Sequence, residues 1–262
     1  MDMLAWINPA YIASGFGVGF LVGMTGVGGG SLMTPLLVLL FGLDARAAVG
    51  TDLLYASLTK AAGSLVHGSV GTVNWRITML LAAGSIPAAA LTIAALYLLG
   101  PMSKEADAVI KFVLGMALIV TAACVFARPI LLRLMLAVAP ASLFAHRAGV
   151  TIAFGVLLGA LVAISSVGAG AIGMTVLVFL YPEEPTVRLV GSDIAHAVPL
   201  TLVAGLGHLL LGSIDLTILA SLLIGSIPGI IAGSRLASRV PDTVLRPILA
   251  TVLVLVGIRL LA

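Results

Sequence analysis

The chain has 262 residues, of which 61% are hydrophobic and only 9% charged, with a net charge of +3 from 13 basic and 10 acidic side chains. A soluble domain carries about 25% charged residues, so this composition excludes an ordinary soluble enzyme and fits a helical protein that crosses a bilayer repeatedly. At about 20 residues per crossing it holds roughly seven to ten helical segments and no extramembrane stretch long enough for a folded domain.

Apolar runs bounded by charge, Gly and Pro divide the chain in order. Pro9–Met24 follows an N-terminus with an acid and no base, unlike a cleaved signal peptide, and is expected to be retained. It runs into GVGGG at Gly26–Gly30, and Ser31–Phe41 leaves that break. Ala47–Val66, Trp75–Leu99 and Ala108–Ala127 are the next predicted segments. Arg128–Arg147, with two prolines and basic residues among apolar ones, reads as a connector lying at the membrane surface. Gly149–Ile164 leads to a second break, SSVGAG at Ser165–Gly170. Ala171–Tyr181, Thr186–Leu211, Leu216–Leu236 and Val244–Leu261 complete the series.

The second half repeats the first. VGGG at Val27–Gly30 matches VGAG at Val167–Gly170 with an offset of 140, and from there the offset is 141. VGTD at Val49–Asp52 then matches VGSD at Val190–Asp193, His67 matches His208, and GSIP at Gly84–Pro87 matches GSIP at Gly225–Pro228. The predicted organisation is a first transmembrane repeat over 1–127, a cytoplasmic connector over 128–148 and a second repeat over 149–262. If each Gly-rich break is a re-entrant tip, each half has three full spans and the halves are inverted. One membrane face then collects eight arginines, from Arg76 to Arg246, against four basic residues on the other, which places the connector in the cytoplasm. Breaks lying within two full crossings would instead make the halves parallel. The lone Cys124 excludes an internal disulfide.

GVGGGSLMTPLL, AVGTDLL, HGSVGTVNW and GSIPAA, with degenerate second copies, resemble the sulfite exporter TauE/SafE family of membrane permeases. The likeness runs from about Phe16 to the last span. It implies a duplicated permease of the cell inner membrane that carries small sulfur anions such as sulfite or organosulfonates, usually outward. One position departs from that pattern: Asp52 stands where the family commonly has Ser or another small residue.

The breaks are the first candidates for chemistry. Gly is costly inside a helix, and interrupted membrane helices expose amide N–H groups and a positive dipole end to anions. Gly28, Gly29, Gly30 and Ser31 in the first break, and Ser165, Ser166, Gly168 and Gly170 in the second, are therefore candidate anion ligands. Close helix packing is the competing explanation for such glycines. The hydroxyls of Thr51 and Ser192 are candidate ligands or, alternatively, helix caps. Asp52, Asp193 and His196 are candidates for proton coupling. Lys60 is a lysine deep in an apolar run, a candidate for the anion path; at eight residues it lies about 12 Å along the helix from Asp52, too far for a direct ion pair. His67 and His208 close their helices in register.

No nucleophile–base constellation, Walker loop, dinucleotide fingerprint or metal cluster appears, so neither an enzyme nor a cofactor or metal is expected, and nucleic acid is not a predicted partner. The expected partners are a small anionic substrate and the lipid bilayer, with a homo-oligomer left open. The predicted function is a secondary transporter holding an anion between the two breaks. A passive anion channel, or an ion-coupled cation transporter using Asp52 and Asp193, is the alternative.

Overall fold

The computed structural model describes residues 8–25, 30–99, 104–212, 214–236, 251, 253–255 and 257–258. Ten helices run through them: α1 (Pro9–Thr25), α2 (Gly30–Leu39), α3 (Ala45–Ser69), α4 (Trp75–Leu98), α5 (Lys104–Val138), α6 (Ala141–Ala145), α7 (Arg147–Ser165), α8 (Ala171–Leu180), α9 (Thr186–Leu210) and α10 (Leu216–Leu236). Among the described residues there is no strand. The last predicted span, Val244–Leu261, lies mostly outside them.

Five of these helices are long and apolar enough to cross a membrane: α4, the stretch Ala108–Val138 of α5, α7, α9 and the stretch Leu216–Gly233 of α10. Leu58, Leu65, Met79, Leu91, Phe112 and Leu210 are exposed large apolar side chains, facing outward as lipid requires. α3 has 25 residues but falls short on hydropathy, because it carries Arg46, Asp52, Lys60 and His67. Its polar residues tolerate a membrane setting by burial within the bundle, where Asp52 is 0% and Lys60 4% exposed.

α5 runs further than the apolar pattern predicts. It passes Arg128 and Pro129 without interruption and ends at Val138. The surface connector expected over 128–148 is therefore, in its first half, the last three turns of a long helix. Pro129 removes one helical N–H without breaking the axis, since its neighbours stay helical on both sides.

The two halves interlock through a two-fold exchange of partners. α1 packs on α10 and α4 packs on α7, and these two pairs are copies of one another under the repeat; α3 packs on its own copy α9. The correspondence holds at single atoms. A Cβ on Gly84 would overlap the Ile152 carbonyl oxygen, and one on its repeat mate Gly225 would overlap that of Ile12. A Cβ on Gly159 would overlap the Ser85 carbonyl, and one on Gly19 would come within 2.6 Å of the Ser226 carbonyl. Small residues in these rows let the backbones touch, which is how helices associate where lipid offers no hydrophobic drive. So the glycines of GSIP and their facing partners are packing glycines.

The same pairing fixes direction. α4 and α7 run parallel, with Gly155 on Leu81 and Gly159 on Ser85. α3 and α9 run antiparallel: Leu54 meets Gly205, Ser57 donates to the Val198 carbonyl at 3.3 Å, and Gly63 meets Ile194. Ser57 and Val198 are repeat mates, so their contact marks the centre of the exchange.

Candidate functional site

The second break is a true interruption. α7 ends at Ser165, Ser166 takes a left-handed backbone with φ 58°, Gly168 has φ 121°, and α8 begins at Ala171. Only Gly tolerates such angles at no cost, so Ser166 is held in a conformation that its neighbours must enforce. Every residue from Ser165 to Ala171 is buried. The Ser165 hydroxyl is occupied by its own turn: it donates to the Leu161 carbonyl at 2.7 Å and accepts from the Val167 amide at 3.2 Å. The Ser166 hydroxyl has no partner although it is 5% exposed.

On the first break, Gly28 and Gly29 lie outside the described residues, as do the side chain of Ser31 and the environment of Gly30. Gly30 opens α2.

Thr51 and Ser192 tie the halves together. Ser192 Oγ accepts from the Asn74 amide at 2.8 Å, and its mate Thr51 Oγ1 accepts from the Asp215 amide at 3.4 Å. Asn74 and Asp215 are themselves N-caps. Asn74 Oδ1 accepts from the amides of Arg76 and Ile77, and Asp215 Oδ1 from those of Thr217 and Ile218. These hydroxyls therefore hold the first turn of the opposite half's helix, and neither faces the second break's unpartnered serine through any bond described.

Beside the second break and α2 lies a buried polar cluster. Asp52 Oδ2 accepts from Thr34 Oγ1 on α2 at 2.5 Å, while its Oδ1 has no partner. Ser166 sits beside Asp52, so the second break touches an acid of the first half. Asp193, 2% exposed, has its Oδ1 unpartnered and set against Gly173 of α8, where a Cβ would come within 2.7 Å of it. The Lys60 ammonium lies near enough to Asp193, Asp52 and His196 to act on each of them electrostatically. Arg147 pairs with Glu183 and Arg188 with Glu184, whereas Lys60 has neither Asp52 nor Asp193 within ion-pair distance and acts on the two acids through space. His196 Nε2 and Ser85 Oγ are hydrogen-bonded at 2.7 Å, and His196 Nδ1 is unpartnered.

Thr34, although it lies within GVGGGSLMTPLL, and Gly173 are not among the candidate ligands that the sequence offers. His208 also has a placement that its helix-end position did not reveal. It is fully buried, and its Nε2 donates to the Ala163 carbonyl at 2.9 Å, fastening the last turn of α7 just before the break. His67, by contrast, stays local, with Nδ1 2.9 Å from Thr72 Oγ1.

At the end of the bundle where α4 and α7 begin, a separate surface pocket is lined by Asn74, Arg76, Arg147, Tyr181, Glu183 and Glu184. Its charges are mostly mutual. Arg147 pairs with Glu183 and lies over the Tyr181 ring, 5.1 Å from its centroid, and Asn74 donates to Glu184 at 2.8 Å.

Comparison with known proteins is informative at the level of family. The sulfite exporter TauE/SafE family profile matches residues 11–260. The probable membrane transporter protein YjnA of Bacillus subtilis (strain 168) is 37% identical over 213 residues, which is 80% of this chain and 82% of the relative. YunE, a probable membrane transporter protein of the same organism, is 43% identical over 74 residues, 28% of this chain and 27% of the relative. No solved structure matches. A profile spanning nearly the whole chain, on a multi-pass helical bundle, identifies this protein as a member of the sulfite exporter TauE/SafE family, which is a family of membrane transporters and not of enzymes.

Proposed function

We propose that this transporter carries small sulfur-containing anions, sulfite or organosulfonates, and that the anion is held at the Gly-rich breaks. The observation that carries the reading is the interruption at Ser166–Gly170. A buried hydroxyl without a partner stands there beside the starting turn of α8, whose amides and dipole favour negative charge. In the first half the sequence repeat assigns the same anion-binding role to Gly28, Gly29, Gly30 and Ser31. Lys60 offsets one of the two nearby carboxylates, without which an anion would be repelled. Thr51 and Ser192 act on the site through the helix starts they hold.

The antiparallel packing of α3 on α9 supports inverted repeats, since two equivalent helices point in opposite directions. Arg76 and Arg147 meet at one end of the bundle, which supports a cytoplasmic location for that end and the connector. Extrusion is the direction favoured, on the family's name alone.

A thermal-shift screen of the detergent-purified protein against sulfite, sulfate, taurine, sulfoacetate and acetate tests the reading. A saturable shift from a sulfur anion, reduced in Ser166→Ala and Gly30→Leu, is expected. Equal shifts from all five anions, or a shift untouched by both substitutions, would remove the anion from the breaks. In proteoliposomes saturable flux is expected; conductance that does not saturate would favour the passive channel.

A further inference from the structure

At the second break the negative end of one helix meets the positive end of the next. α7 stops at Ser165, α8 starts at Ala171, and every residue between them is buried. The amides of Gly173 and Met174 reach back to the Gly168 and Gly170 carbonyls, at 3.0 and 2.8 Å. Those of Ala171 and Ile172, just before them, bond no carbonyl among the described residues. Free amides of this kind favour negative charge, whereas the carbonyls that close α7 oppose it.

The fate of those carbonyls therefore bears on the sign of the site. Val162 takes the amide of Ser166 at 2.7 Å. Ala163 would take the amide of Val167 if α7 ran on, but that amide bonds Ser165 Oγ at 3.2 Å. The Ala163 carbonyl is met instead by His208 Nε2 of α9, at 2.9 Å and 45 residues away in sequence. A carbonyl only accepts, so the ring carries a proton on Nε2, while Nδ1 is buried without a partner. A fully buried imidazole with one idle nitrogen is costly, and its single described bond is spent on the end of α7. The copy of this residue, His67, has no such reach: it bonds Thr72, five residues along.

Two consequences follow for the break. His208 occupies the acceptor that would draw Val167 into α7, so the helix stops before Ser166, whose φ of 58° has no place inside a right-handed helix. It also covers a carbonyl dipole with an N–H at the helix end that an anion must approach. We propose that His208 is the positioning residue of the anion site, capping α7 from α9 so that the break stays open and accepts negative charge. This rests on the anion reading above and adds to it a residue that acts through the Ala163 carbonyl.

The full chain in detergent is titrated with sulfite and with sulfoacetate, and the half-saturating concentration is read from the thermal shift. His208→Leu is expected to raise it about tenfold. His208→Gln, whose amide N–H stands about where Nε2 stood, keeps it near the wild-type value. The shorter His208→Asn cannot reach the carbonyl and behaves like Leu. Ser226→Ala, far from the break in the other half's interface, melts lower than the wild type with half-saturation unchanged, which separates lost stability from lost binding. Should His208→Leu fail to fold, the Gln and Asn variants decide. Wild-type half-saturation in His208→Leu or His208→Asn overturns the proposal and leaves the anion reading standing, and so does a Gln variant as weak as Asn. A wild-type chain with no saturable response to either anion overturns both.

Discussion

Ser85 and His196 are joined across the two halves of the molecule by a 2.7 Å hydrogen bond in the interior, and the copy of that serine, Ser226, bonds Thr59 at 3.0 Å. The repeat preserves the serine and the crossing but changes the partner. Tyr55 stands in the first half where the second has His196. Each GSIP motif therefore does two jobs: its Gly brings the backbones together and its Ser anchors the opposite half.

These bonds make the two serines unequal in a predictable way. Ser85→Ala strips His196 of its described partner, leaving both ring nitrogens unsatisfied, and is expected to cost about 1–3 kcal/mol. Ser226→Ala removes a hydroxyl–hydroxyl bond and should cost about 0.5–1.5 kcal/mol. Thermal melts of both variants in detergent check the order; equal losses would mean that His196 finds another partner.

The packing glycines should behave as pairs. Gly84→Ala and Gly225→Ala each drive a methyl group into a facing carbonyl, of Ile152 and of Ile12 respectively. Overpacking of this kind costs about 1–3 kcal/mol or prevents assembly of the bundle. Gly17→Ala and Gly149→Ala, where nothing lies within 4 Å, should be tolerated. Yield and melting temperature of the four variants distinguish the two classes.

The caps provide a third comparison. Asn74→Ala removes the bonds to two amides at the start of α4 and the bond to Glu184, and Asp215→Ala removes only the matching pair at the start of α10. A loss of about 1 kcal/mol is expected for Asp215→Ala and a larger one for Asn74→Ala. Single-variant melts at equal detergent and pH measure both.

At the surface, Glu183 is held below its ordinary value, first by a hydrogen bond from its own backbone amide and then by Arg147. A depressed folded-state carboxylate contributes stability above its unfolded value and loses it as the pH falls through the folded one. Glu183→Gln should therefore melt slightly below the wild type at neutral pH and converge with it under acid. Both partners are about half exposed, so the difference stays within about 1 kcal/mol and shrinks in high salt. A melt series in pH and salt checks it.

Composition alone determined that the chain is a multi-pass helical membrane protein, because so few charges leave no soluble surface. The repeat was legible as well: GSIP, the Asp motifs and the breaks recur in register, and the Gly and Pro interruptions marked most helix ends to within a few residues. The end of α5 was not legible, since Arg128 and Pro129 look like a stop until packing lets the helix continue. The roles of the small and polar residues were decided only by tertiary structure. Thr51 and Ser192 read equally as ligands or caps, and they bond the helix starts of the opposite half. The GSIP glycines only marked the repeat in the sequence, and in the structure they are contact points. Thr34, Gly173 and Ser166 meet the two acids from other helices, and His208 reaches a carbonyl on α7. A sequence records which polar groups must be buried; which of them face each other follows from the two-fold interlocking of the halves, through contacts more than a hundred residues apart.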